Sequence, residues 1–339
     1  MKIAVVIPCR NEAPFIQECI DHIDVSDLPE NVRLEVVIVD GMSDDGTREI
    51  VQDLLKTRED IKLVDNTAQI TPFAINLGIK SVPDADFYQR IDARHMVSPN
   101  YMKVALDHLL SNNETWCVGG KVINKYVNEQ GEVISQVMGT SFGMGLGNFR
   151  TLEESGYTDT VTSPMYRKEV FESIGYFDEE LIRNQDDDFS FRITQAGGKI
   201  FYSNEIELDY YVRSSYVGLS KQFQQYGYWK VFVNRKHQTV TTLRQLVPPL
   251  FVAYHFLILF SILLPQFVLP LSTTPILAYW LLNLYFSNQL SQKSKFGWTK
   301  YSRAYMIVHY RYGWGYLRGI IDFLILRKGP GKKQTVLSR

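Results

Sequence analysis

Apolar and polar positions fall into short blocks along the N-terminal part of the chain. Ile3 to Ile7 is a largely β-branched run closed by Pro8, the pattern of a buried strand. Asn11-Glu12-Ala13-Pro14 then opens a helical stretch reaching about Ile23. Leu34 to Val39 predicts a second buried strand, ending at Asp40 and Gly41. The cluster Ser43-Asp44-Asp45-Gly46-Thr47 starts a helix to about Lys56. Ile61 to Val64, Thr71 to Ile79 and Phe87 to Ile91 predict a strand, a short helix and a fourth strand ending at Asp92. Strand and helix in this rhythm mean βαβ units and an α/β fold with a mainly parallel sheet. Ligands of such sheets bind outside the carboxyl ends of the strands, where Arg10, Asn11, Asp40 and Asp92 fall.

Further along, the pattern changes. From Gln245 to Gln292 there is no Asp, Glu, Lys or Arg, about twice the ~20 residues that cross a bilayer. Pro265, Pro270 and Pro275 divide it into two apolar arms, roughly 246–264 and 267–287, expected to be membrane-embedded as two crossings or a re-entrant hairpin. Arg235, Lys236 and Arg244 precede the arms and Lys293, Lys295, Lys300 and Arg303 follow them. Basic flanks at both ends predict that both stay cytoplasmic, on the inner membrane of the cell. Residues 302–326 are aromatic but carry Arg311, Arg318 and Asp322, which favours a helix in the headgroup plane. Lys328, Lys332, Lys333 and Arg339 in the tail suit an anionic leaflet. The expected domains are 1–235, a membrane hairpin 236–301, and an interfacial helix with basic tail 302–339.

Of the 339 residues, 45% are hydrophobic and 22% charged, so bulk disorder is excluded. A net charge of −1 argues against a protein built to coat nucleic acid. Three cysteines, Cys9, Cys19 and Cys117, are too few for a secreted disulfide framework and read as reduced thiols. The strand-like run directly after Met1-Lys2 leads us to expect no secretory leader. His22, His108 and His255 show no ligand spacing.

No G-x-G-x-x-G follows the first strand and no G-x-x-x-x-G-K-[ST] occurs, which counts against dinucleotide dehydrogenases and P-loop NTPases. What remains is a nucleotide site whose strand ends carry carboxylates. Val6-Ile7-Pro8-Cys9-Arg10-Asn11-Glu12, followed by Val39-Asp40-Gly41-Met42-Ser43-Asp44-Asp45-Gly46-Thr47, resembles the opening signature of family 2 glycosyltransferases of the GT-A fold. Tyr166 to Phe171, Gly175 to Glu179 and Asn184-Gln185-Asp186-Asp187-Asp188 are similar to the acceptor-side half of that family. Gly119-Gly120, the Gly143–Arg150 loop and His309-Tyr310-Arg311-Tyr312-Gly313 resemble its bacterial exopolysaccharide branch, related to succinoglycan glucosyltransferases.

The resemblance implies a UDP-sugar donor held by Pro8, Arg10, Asn11, Glu12, Asp40, Asp44, Asp92 and Arg94. By itself, Asp40 at a strand end can accept the N3–H of a uracil or a ribose hydroxyl, or cap a turn. Asp44 and Asp45 suit an ordinary capping turn equally well. The family usually has Asp-x-Asp at Asp92, holding Mg²⁺ or Mn²⁺ on the diphosphate with hard oxygen ligands. Here the third position is Arg94, which either balances diphosphate charge directly or is a solvated surface arginine. The resemblance places Asp186 on the catalytic Asp, with Gln185 where the family has Glu. Three adjacent acids raise at least one pKa by mutual repulsion, which suits a general base. Asp187, Gln225, Tyr228 and Trp229 are the expected acceptor side; Gln225 to Trp229 either stacks on a pyranose or forms an interfacial belt. The Gly139–Gly147 loop either closes over the reactants or is plain surface.

The expected function is an inverting transfer of a hexose to a lipid-linked oligosaccharide for surface polysaccharide, with membrane lipids as partners. The alternatives are a polyprenyl-phosphate glycosyltransferase and a non-catalytic sugar-nucleotide-binding membrane component.

Overall fold

The computed structural model describes residues 1–145, 149–261 and 269–330. The chain divides into two compact units, Met1–Ile123 with Leu152–Tyr211, and Asn124–Thr151 with Val212–Arg339.

The first unit begins as the hydrophobic pattern predicts, with β1 (Lys2–Cys9), α1 (Ile16–Asp24), β2 (Arg33–Asp40), α2 (Thr47–Leu55), β3 (Ile61–Asp65), α3 (Thr71–Lys80) and β4 (Phe87–Arg90). β1 lies between β2 and β4, and β2 between β1 and β3, all parallel. Ile3 to Ile7 and Val36 to Val39 are almost wholly buried, because helices cover the central strands. α1 contributes Ile16, Cys19, Ile20 and Ile23, spaced along one helix face. α3 comes close to β1 at Gly78, where a Cβ would stand 2.3 Å from Val6 Cγ1.

The rest of the sheet is antiparallel. After β5 (His95–Val97), α4 (Tyr101–Ser111) and β6 (Thr115–Lys125), the chain passes through α5 (Glu129–Met138) and α6 (Ser141–Met144) of the second unit. It returns with β7 (Gly156–Thr158), β8 (Met165–Arg167), α7 (Lys168–Ile174), α8 (Gln185–Gln195) and β9 (Lys199–Tyr211). The strand order is β3-β2-β1-β4-β8-β6-β9-β5, with β7 beside β9. β8 runs antiparallel between β4 and β6, so it enters beside the end of β4, with Met165 opposite Gln89, and leaves beside its start, with Arg167 opposite Phe87. Cys9, Cys19 and Cys117 are free and buried.

The second unit is helical: α5, α6, α9 (Tyr216–His237), α10 (Val247–Ser261), α11 (Leu269–Gln292) and α12 (Trp298–Gly319). α9 and α12 cross backbone against backbone at glycines. A Cβ on Gly227 would lie 2.0 Å from the Tyr312 carbonyl oxygen, and one on Gly315 equally close to that of Gln224. The stretch expected to lie in the headgroup plane is therefore a packed helix: Tyr301, Tyr305, Val308 and Tyr316 of α12 are buried, while Trp314 stays exposed.

The two expected membrane arms require correction. Among the described residues no helix is long and apolar enough to cross a membrane. α10 is described over 15 residues, Val247–Ser261, up to the edge of the described residues. α11 has 24 residues, but Thr273, Thr274, Asn283, Ser287 and Gln289 dilute its apolar character, and Asn283 and Ser287 are buried within the protein. Residues 262–268, including Pro265, lie outside the described residues, as do Gly147 and the tail basic residues Lys332, Lys333 and Arg339.

Candidate active site

The site is built where β1, β2 and β4 end. The turns after β1 and β2 are tied together by side chains that the sequence placed there as separate signals. Asn11 has φ 55°, a left-handed conformation that asparagine tolerates better than most residues. Its Nδ2 donates to Asp44 Oδ1 at 2.7 Å, and the Asp44 N–H donates back to Asn11 Oδ1 at 3.1 Å. The Asn11 N–H donates to Ser43 Oγ, the Glu12 N–H to Thr47 Oγ1, and the Ala13 N–H to Asp45 Oδ2. Asp45 also accepts from the Thr47 N–H at 3.0 Å. Burial works against its charge, but these hydrogen bonds hold its carboxyl below the usual range.

Asp40 is fully buried at the end of β2. Its carboxylate accepts from the Ser43 N–H and hydroxyl and from Arg48 Nη1 at 3.2 Å. Arg48 reaches onward to Asp65 at 2.7 Å. Asp40 thus shapes the β2–α2 turn from beneath. Pro8 sits in β1 opposite Val39. Arg10 packs over Gly41, where a Cβ would stand 3.0 Å from its side chain, and its Nε makes no hydrogen bond. Arg94 Nε donates to Glu12 Oε2 at 2.7 Å, and its guanidinium lies 4.7 Å from the Phe15 ring centre. The expected donor residues of the first two turns and Arg94 therefore come together, with Arg94 paired to an acid rather than left solvated.

A second cluster centres on Arg90, the last residue of β4, whose side chain is only 8% exposed. Its Nε donates to Asp92 Oδ1 at 3.0 Å and its Nη2 to Asp92 Oδ2 at 3.2 Å. Its Nη1 donates to Oδ1 of Asp186, in the first turn of α8. Burial disfavours the Arg90 cation, yet Asp186 and Asp92 outweigh it and raise its pKa. Burial also opposes the charge of Asp92, but Arg90 and then His95 hold its carboxyl below the usual range. For Asp186 the balance reverses: burial pushes its pKa up, Arg90 pulls down, and Asp92 and Asp187 push up again.

The three-acid run therefore divides by partner. Asp188 is buried and accepts from Arg192 Nε at 3.0 Å, a contact one helical turn apart. Asp186 faces Arg90, and Asp187 is half-buried on the same turn. Gln185 is buried, its Oε1 without a hydrogen bond. Gln225, Tyr228 and Trp229 belong to the second unit, on α9, and are buried there. The Tyr228 hydroxyl donates to Asp322 Oδ2 at 2.9 Å, its ring packs 4.7 Å from that of Phe323, and Trp229 meets Phe232. The protein covers both ring faces that the sequence reading offered to a sugar.

Among the described residues no group of three His, Cys, Asp or Glu side chains could hold a metal ion. The donor set agrees with this. Asp92 is the one carboxylate at the end of β4, Arg90 faces both its oxygens, and His95 Nδ1 is engaged by Ser163 Oγ at 2.6 Å. These residues do not fit a two-carboxylate clamp for Mg²⁺ or Mn²⁺.

The sequence reading assigned no role to Arg90 or Arg48. A signal for Arg90 was present: a charged residue in a buried strand needs an acid, and Asp92 lies two positions on, on the same face.

Comparison with known proteins places this geometry. Residues 4–175 match the family model of Glycosyl transferase family 2. The chain is 27% identical over 94% of its length to the succinoglycan biosynthesis protein ExoA of Rhizobium meliloti, covering 95% of that protein. It is 29% identical over 69% of its length to a dolichyl N-acetyl-alpha-D-glucosaminyl phosphate 3-beta-D-2,3-diacetamido-2,3-dideoxy-beta-D-glucuronosyltransferase of Methanococcus voltae, covering 74% of it. In fold it is similar to S. aureus TarS 1–349 in complex with UDP, with a TM-score of 0.50 and 18% identity over 94% of this chain and 92% of that one. The parallel half-sheet with acids at its strand ends and the matched residues together make the chain a glycosyltransferase that belongs to glycosyl transferase family 2.

Proposed function

We propose that the protein is an inverting transferase that moves a hexose from a UDP-sugar to a lipid-linked oligosaccharide in surface polysaccharide synthesis. The observation that carries this reading is the pairing of Asp92, at the end of a donor-side strand, with Asp186, at the start of α8, through one guanidinium. Asp186 serves as the general base: it deprotonates an acceptor hydroxyl, whose oxygen attacks the anomeric carbon as the nucleotide diphosphate leaves from the opposite side. The N-terminal dipole of α8 favours the carboxylate before transfer, and the raised pKa strengthens it as a proton acceptor. Asn11, Glu12 and Asp44 line the donor turn, and Arg10 offers a guanidinium whose Nε has no hydrogen-bond partner. If Mg²⁺ or Mn²⁺ binds with the donor, Asp92 would be the carboxylate that meets it at the end of β4, and the ion would supply charge neutralisation for the diphosphate.

The lipid-linked acceptor is supported by the relatives named for succinoglycan biosynthesis and for transfer to a dolichyl phosphate-linked sugar. The second unit supplies a seat on the cytoplasmic face of the inner membrane. Leu277, Trp280, Leu281 and Leu284 of α11 form an exposed apolar strip, and Lys293, Lys295 and Lys300 follow it in the chain. An in-plane seat needs no spanning helix.

The decisive experiment compares Asp186→Asn with Asp187→Asn in a transfer assay from UDP-hexoses to a lipid-linked acceptor. Asp186→Asn keeps size and hydrogen bonding but cannot take a proton, so turnover falls by roughly 10²–10⁴-fold with UDP affinity retained. Near-normal turnover, or a larger loss in Asp187→Asn, refutes the assignment.

A further inference from the structure

We infer that Arg90 is a positioning residue of the transfer, holding the Asp186 carboxylate in one orientation and tying it to the donor-side acid Asp92. The inference rests on reading Asp186 as the base. Arg90 is fixed at its root: it pairs with Val6 of β1, and its N–H donates to the Pro164 carbonyl at 3.0 Å. Its side chain is almost fully buried, whereas those of Asp92 and Asp186 are 38% and 42% exposed. A rigid guanidinium therefore lies beneath two open carboxylates. A guanidinium presents its donors in one plane, so the fork to Asp92 also sets the direction in which Nη1 meets Asp186.

The contact uses one oxygen of the base. Arg90 binds Asp186 Oδ1, and Oδ2 lies outside this contact. One oxygen is tethered and the other is left to take the acceptor proton. Asp188 has no such freedom, because Arg192 binds it in a nearly closed site. Arg90 also separates like charges. Without it, Asp186 faces Asp92 from the turn after β4 and Asp187 from its own helix, beside the buried Tyr166 of β8.

The test is a double-mutant cycle with Arg90→Met, Arg90→Lys and Asp186→Asn, reading kcat, acceptor KM and UDP affinity. Misplacing a catalytic group by about 1 Å costs on the order of 10²-fold, so Arg90→Met should lower kcat by that order with little change in acceptor KM. Arg90→Lys should restore part of the loss, since it keeps the charge and loses the fork. In the Asp186→Asn background, Arg90→Met should cost little more, because the base it positions is already inactive. An equal cost of Arg90→Met in both backgrounds overturns the inference, as does a loss confined to KM. Normal turnover of Asp186→Asn instead refutes the base itself, a separate result. If Arg90→Met does not fold, Arg90→Lys carries the same cycle with the same expectation of non-additivity.

Discussion

Asn11 and Asp44 exchange two hydrogen bonds, 2.7 Å from the Asn11 amide to the Asp44 carboxylate and 3.1 Å from the Asp44 N–H back to the Asn11 side chain. The pair joins the turn after β1 to the turn after β2, and Asn11 does so at φ 55°. Asn11→Ala loses both bonds and places a less tolerant residue in a left-handed conformation, at a cost of about 1–3 kcal/mol. Asn11→Gly loses the same bonds but relaxes the backbone, so it should be less destabilised in urea unfolding. Equal midpoints for the two variants would show that backbone strain plays no part. Both should weaken UDP binding, measured by calorimetry.

The balance of charges around Asp186 sets a pH dependence. Burial first, then Asp92 and Asp187, raise its pKa above the ordinary carboxylate value, with Arg90 opposing. The base acts only when ionised, so kcat is lost as pH falls through the raised pKa. The acid limb of the kcat profile should lie above the ~3.9 of a free aspartate. Asp92, shifted the opposite way, stays ionised across that limb. An acid limb at or below the ordinary value would contradict the assignment of Asp186.

The single-carboxylate donor set makes a specific demand on divalent ions. Without nucleotide, Mn²⁺ should bind weakly, because Arg90 occupies both oxygens of Asp92 and Arg94 stands where a second acid would be. UDP should raise Mn²⁺ affinity by adding phosphate oxygens, and Arg94→Asp should raise it without UDP. Chelator should weaken transfer less in the wild-type protein than in a relative with Asp-x-Asp. Tight Mn²⁺ binding to the free protein, or complete loss of transfer in EDTA restored by Mn²⁺, would show a clamp assembled from other groups.

The exposed strip on α11 is open to a direct membrane test. Insertion of apolar side chains is insensitive to salt, whereas attraction between basic residues and anionic lipid is screened within about 3 Å at 1 M. The protein should co-float with anionic vesicles, and most should stay bound in 1 M salt. Leu277→Asp with Leu281→Asp should release it. Full release of the wild-type protein by salt alone would reduce the seat to electrostatics.

The N-terminal half-sheet was legible because its information is local. Buried β-branched runs between capped helices admit few arrangements, so β1 to β4 and the turns carrying Asn11, Asp44 and Asp92 follow from hydrophobic period and turn chemistry. The family signature was legible for the same reason, its residues being close in sequence. The antiparallel second half depends on pairing over long separations. That pairing brings Arg90 to Asp186 across 96 positions, whereas Asp188 finds Arg192 one turn on in its own helix. No local pattern shows that Asp186, among the three adjacent acids, will face a cation from β4. The aromatic helices of the second unit pose a related question. Composition records that Tyr228, Trp229, Tyr305 and Asn283 must leave water or find partners, but not whether lipid or another helix covers them. Only the tertiary structure decides that, through the glycine crossing of α9 and α12, because close packing depends on which backbones can approach.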